Sequence, residues 1–97
     1  MKLALIHTTD PKNVASILDE GFRDGISTEM YQGKLYSGAW FSDGPLKELY
    51  TGFIQVEIDS DNAAQYELPW EPNGYRRWLI PVQVVNGLPR SRYEPDD

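Results

Sequence analysis

The chain contains no cysteine. Disulfides, zinc–thiolate sites and cysteine nucleophiles are therefore excluded. Histidine is nearly absent too, with a single residue, His7. One imidazole among scattered carboxylates argues against a dedicated transition-metal site, which gathers several N or S ligands. Positive charge is scarce: nine Lys and Arg stand against fifteen Asp and Glu, giving a net charge of −6 and a pI near 4.6. Tracking nucleic-acid phosphates or an anionic membrane surface asks for a basic face, so neither partner is expected. No apolar run approaches the roughly 18 residues of a membrane helix. The apolar stretch near the N-terminus is too short for a signal-peptide core, so the expected location is cytoplasmic. Gly-x-Gly-x-x-Gly, a phosphate-binding Gly-Lys-Ser/Thr loop and a serine nucleophile motif are all missing.

What is present suits one small domain. Of the 97 residues, 40% are hydrophobic, and three Trp, six Tyr and three Phe can fill one core. Lys2–His7 reads as a strand. Asp10 is a good N-cap and Pro11 fits the first helical position. Val14, Ile17, Leu18 and Phe22 then share one helical face, and Gly21 is a natural terminator, so a helix is expected over residues 11–20. Residues 23–37 read as a long polar loop with one helical turn near Thr28–Tyr31. Such a loop in so small a domain suggests binding.

Further along, Gly38–Ser42 reads as a short strand and Leu46–Tyr50 as a single helical turn. Thr51–Ile58 alternates, with Ile54, Val56 and Ile58 on one face and Phe53, Gln55 and Glu57 on the other. Asp59–Asn62 suggests an acidic turn, Tyr66–Trp70 an extended segment, and Glu71–Gly74 a turn. Tyr75–Ile80 reads as a strand ended by Pro81. The expected architecture is α+β, a small curved or split antiparallel sheet with one main helix. The domain is expected over residues 1–87, with a loosely ordered tail at 88–97.

Several residues could carry chemistry. His7 ends a strand at a helix start, where it can serve a ligand hydroxyl or simply brace the backbone. Thr8 and Thr9 lie beside it. Tyr31 and Tyr36 offer stacking faces in a polar segment, while Trp40 and Phe41 suit a core. Glu57 and Glu67 are candidate acids, with Glu71 beside them, or they are solvated surface groups. Arg76 and Arg77 can bind phosphate or pair with surface carboxylates.

In order, these segments resemble the ADP-ribosyltransferase-like fold. The resemblance rests on a strand ending His7-Thr8-Thr9, the helix from Asn13 to Phe22, Gly38-Ala39-Trp40-Phe41-Ser42-Asp43, and Tyr75–Pro81. It spans residues 3–86 and is nearest to small bacterial or phage proteins with this motif order. The scaffold also serves diphtheria-toxin-like transferases and RNA 2′-phosphotransferases. The resemblance implies NAD or an ADP-ribose-type nucleotide as ligand. His7 would contact a ribose hydroxyl and the Thr8 backbone the nicotinamide amide. Ser42, with Tyr31 or Tyr36, would lie near the nicotinamide ribose.

Arg77 stands where the resemblance expects a glutamate. A carboxylate helps a transition state with developing positive charge, and a guanidinium opposes it. A transferase would then need Glu67 or Glu57 as a substitute acid. Two other functions stay open: a non-catalytic protein that sequesters or senses a nucleotide signal, and an acidic module for a basic protein partner. A monomer or small homo-oligomer is expected.

Overall fold

The computed structural model describes residues 1–23, 27–31, 33–68 and 75–95. They form an α+β domain of six antiparallel strands and a few short helices. The strands are β1 (Lys2–Thr9), β2 (Ser27–Tyr31), β3 (Lys34–Ser42), β4 (Gly52–Asp59), β5 (Arg77–Ile80) and β6 (Arg90–Arg92). The helices are α1 (Val14–Glu20), α2 (Ser60–Ala64) and α3 (Val82–Val85), with a 3-10 turn at Pro11–Asn13 leading into α1. Five strands run in the order β2-β3-β1-β4-β6, and β5 pairs with β3 off that path.

β1 and β4 form the continuous part of the sheet. They pair at every position from Lys2↔Asp59 to Thr9↔Gly52. The alternation read from the sequence sets which face is buried: Ile54, Val56 and Ile58 are completely enclosed, whereas Glu57 is exposed. Burying each of these side chains contributes about 1.5–3 kcal/mol relative to exposure. Leu5, Val14, Phe22, Phe41, Trp78 and Ile80 complete the centre of the core.

The helix expected over residues 11–20 is present as the 3-10 turn plus α1. The Asp10 carboxylate accepts from the Lys12 N–H at 3.1 Å, and Pro11 opens the turn. Val14 is buried, and Ile17 and Leu18 pack against the core. At the other end Gly21 takes φ +89, a conformation costly for side-chain-bearing residues.

The region read as a loop at 23–37 is different. Ser27–Tyr31 and Lys34–Ser42 form a hairpin, with Tyr31 opposite Lys34 at its closed end and Ser27 opposite Gly38 at the other. There is no helical turn at Thr28–Tyr31. The ladder uses backbone groups alone, so a polar run does not prevent it. β3 then changes partner: up to Gly38 it faces β2, and from Ala39 to Ser42 it faces β5. Gly38 has φ +145, and a Cβ there would lie 1.8 Å from the Ile80 carbonyl oxygen, so only glycine permits the handover.

Two further expectations change. Asp59–Asn62 is not merely a turn: the Asp59 carboxylate accepts from the Asp61 N–H at 3.0 Å and caps α2. The expected loose tail at 88–97 includes β6, which pairs with Ile54–Val56 of β4. Arg90 also donates from Nε to the Ile17 carbonyl at 3.0 Å, closing the end of α1. Leu46–Tyr50 closes as a single turn, with the Leu49 N–H donating to the Leu46 carbonyl. The Glu71–Gly74 turn and the end of the Tyr66–Trp70 segment lie outside the described residues. No described helix is long and apolar enough to cross a membrane.

Candidate functional site

β1 meets β3 at one registered pair, Ile6↔Ser42, and beyond it the strands part. A cavity of about 560 Å³ opens at this split. Ile6, His7, Thr8 and Thr9 line one side, and Trp40, Phe41, Ser42 and Arg77 another. The 3-10 turn and α1 supply Asp10, Asn13 and Ser16, and the segment after α1 supplies Phe22 and Arg23. Leu46, Leu49 and Tyr50 form a further wall.

His7 reaches across the split. Its Nδ1 lies 2.7 Å from the Trp40 carbonyl oxygen. A carbonyl only accepts, so Nδ1 carries the proton and donates, which leaves Nε2 of the neutral ring as an acceptor. The ring thereby serves a carbonyl that a continued β1–β3 ladder would have paired. Burial lowers the pKa of His7, and the Trp40 bond opposes this more weakly. The ring packs against two phenylalanines that also touch each other, with Phe22 perpendicular to it at 4.9 Å and Phe41 tilted at 5.6 Å.

The neighbouring hydroxyls hold the walls. Thr8 Oγ1 accepts from the Leu46 N–H at 3.2 Å. Ser42 Oγ donates to the Gly44 carbonyl at 2.7 Å. Together they tie residues 43–46 to β1 and β3. Thr9 Oγ1 accepts from Asn13 Nδ2 at 3.2 Å and ties the strand end to the helix start.

Charge in the cavity runs against the charge of the chain. Among the described residues its lining carries Arg23, Arg77 and Asp10, one more positive than negative group. Asp10 is engaged in capping. The Arg77 guanidinium stacks over the Trp40 ring at 5.0 Å, which orients a planar donor array beside an aromatic face. Arg23 keeps an exposed pair with Glu20 at 3.2 Å.

The fold therefore brings His7, Thr8, Thr9, Ser42 and Arg77 to one cavity. Other candidates lie elsewhere. Arg76 and Glu67 bind each other through two contacts of 2.7 Å at the surface. Glu57 pairs in register with Ala4 near the opposite end of β1 and is exposed. Tyr36 lies under Lys34, whose ammonium is 4.9 Å from its ring. Tyr31 sits opposite Lys34 in β2, and its side chain lies outside the described residues. The sequence reading missed Arg23 and took Asp10 only as a cap; it weighed Tyr50 among the aromatics without placing it at the site, and assigned Trp40 to packing. Strand parity offered a signal for Trp40, since it shares a face with Ser42.

Among the described residues no group of three or more His, Asp and Glu side chains is placed to hold a metal ion. No protein-family model, curated protein or solved structure matches this chain.

Proposed function

We propose that this domain binds NAD or an ADP-ribose-type nucleotide in the cavity at the β1–β3 split, and holds it without cleaving it. The observation that carries the reading is the pairing of two guanidiniums with aromatic walls in one cavity of an acidic chain. Phosphate oxygens suit Arg77 and Arg23, because guanidinium forks bind phosphate bidentately. A flat ring suits Trp40 or Tyr50. The neutral His7 Nε2 accepts only, so it selects a donor such as a ribose hydroxyl. The cavity falls within the ~300–1,000 Å³ of small-molecule sites. The resemblance to the ADP-ribosyltransferase-like fold supports the same ligand class.

The binding-only part of the reading follows from the carboxylates. Neither Glu57 nor Glu67 lines the cavity, and Arg77 occupies the motif position where a glutamate is expected. A guanidinium there favours an anion and disfavours oxocarbenium-like charge.

Isothermal calorimetry with NAD and with ADP-ribose tests the proposal. Binding of at least one, with nicotinamide release no faster than without protein, is the expected result. Absence of heat with both at millimolar ligand overturns the nucleotide reading and leaves the acidic protein-interaction module. Nicotinamide release on mixing overturns the binding-only part.

A further inference from the structure

We infer that Asn86, which lies outside the cavity, is a positioning residue for the His7 imidazole and acts through Phe22. The inference deepens the nucleotide-binding reading only in its consequence for affinity; its structural core concerns the protein alone.

The geometry is a clamp between parts of the chain 64 residues apart. Asn86 Oδ1 accepts from the Phe22 N–H at 2.8 Å. Asn86 Nδ2 donates to the Phe22 carbonyl at 3.1 Å. One carboxamide thus satisfies both backbone groups of a residue that belongs to neither α1 nor a strand. The approach is close: a Cβ on Gly21 would lie 2.8 Å from Asn86 Oδ1. Asn86 is itself fixed at the end of α3, where its N–H donates to the Val82 carbonyl at 2.9 Å.

What the clamp holds is the wall against His7. Phe22 is almost fully buried, at 2% exposure, and its ring stands perpendicular to the imidazole at an interplanar angle of 89°. Its ring also contacts Phe41 at 5.5 Å, so the two phenylalanines and His7 touch one another pairwise. A buried aromatic wall on this side keeps water from the ring and keeps Nδ1 aligned on the Trp40 carbonyl. Releasing Phe22 admits water, and a hydrated imidazole takes a proton more readily; any loosening of the Trp40 bond works the other way but more weakly. Among the described residues, the ionisable groups that share the cavity with His7 are Asp10, Arg23, Arg77, Tyr50 and Tyr75, and the clamp residue carries no charge of its own.

The single histidine makes the test unambiguous. His7 is titrated by NMR through its ring resonances in the unliganded full chain, in the parent and in Asn86→Ala. An upward shift of the His7 pKa by about half a unit is expected. Ile58→Ala, which empties a fully enclosed site opposite Leu3 toward the other end of β1, is the control for general loosening and is expected to leave the titration in place. If Asn86→Ala does not fold, Asn86→Gln, which displaces the carboxamide by one methylene, decides the question with a smaller shift in the same direction. A folded Asn86 variant whose His7 titrates like the parent overturns the inference, as does an equal shift in Ile58→Ala. ADP-ribose affinity in Asn86→Ala is expected to weaken about threefold or more. No nucleotide binding by the parent would sink the functional reading while leaving the titration result to stand or fall by itself.

Discussion

The two edges of β1 are treated in opposite ways. Toward β4 the strand pairs at each residue from Lys2 to Thr9, and the ladder is closed. Toward β3 it registers once, at Ile6↔Ser42, and the ladder is open. The closed edge satisfies its backbone groups internally and supports a dry strip of Ile54, Val56 and Ile58. The open edge must find other partners. His7 takes the Trp40 carbonyl, Thr8 takes the Leu46 N–H, and Ser42 donates to the Gly44 carbonyl. One strand thus supplies stability along one edge and a lined cavity along the other. Polar residues cluster at the open edge because unpaired backbone groups there need them.

That contrast predicts a separation of effects. The largest change in stability belongs to the closed edge. Ile58→Ala should cost about 2–5 kcal/mol in chemical denaturation, as expected for emptying a fully enclosed site. Its ligand affinity, measured on the folded fraction, should match the parent. A folded Ile58→Ala protein that has lost the ligand would blur the division between the edges. At the open edge, Arg77→Met should weaken ADP-ribose binding by about 1.5–3 kcal/mol, the value of a charge-assisted contact. Unchanged affinity in that variant would remove Arg77 from the site.

The smallest effect is the pH dependence of stability. Burial lowers the folded-state pKa of His7 below its ordinary value of 6.5. As pH falls below 6.5, the unfolded chain gains a proton that the folded chain refuses, so stability declines. The contribution is complete above pH 6.5 and lost on descending from there to the folded pKa. The slope from this group is at most about 1.4 kcal/mol per pH unit. Denaturation series at several pH values should show the component in the parent and not in His7→Gln. An identical acid profile in both proteins would mean that His7 takes up its proton at the same pH in the fold as in the unfolded chain, and would contradict a lowered pKa.

The same contrast explains what could be read from the sequence. The closed edge was legible because periodicity reports burial: the alternation in Thr51–Ile58 and the helical spacing of Val14, Ile17 and Leu18 both hold in the structure. The β2–β3 hairpin was not, since its exposed Met30 and Leu35 face each other on a ladder that needs no core. β6 has three residues, too few to show a period, and Arg90 earns its place through the α1 carbonyls. At the cavity, local position together with the family resemblance marked His7, Thr8, Thr9, Ser42 and Arg77 as candidates, and all five line it. Long-range register decided the rest. It places Glu57 opposite Ala4, away from the cavity, and Arg23 and Tyr50 within its lining. The Asn86 clamp joins segments 64 residues apart and leaves no local pattern.

The central claim is that the open edge of β1 is where a nucleotide sits. The most direct measurement follows the ring resonances of His7 by NMR while ADP-ribose is added. The account predicts that they shift progressively and saturate, and that Arg77→Met needs more ligand to reach the same end point. Resonances that stay in place at ligand concentrations that saturate the calorimetric signal would put the nucleotide elsewhere and contradict the account.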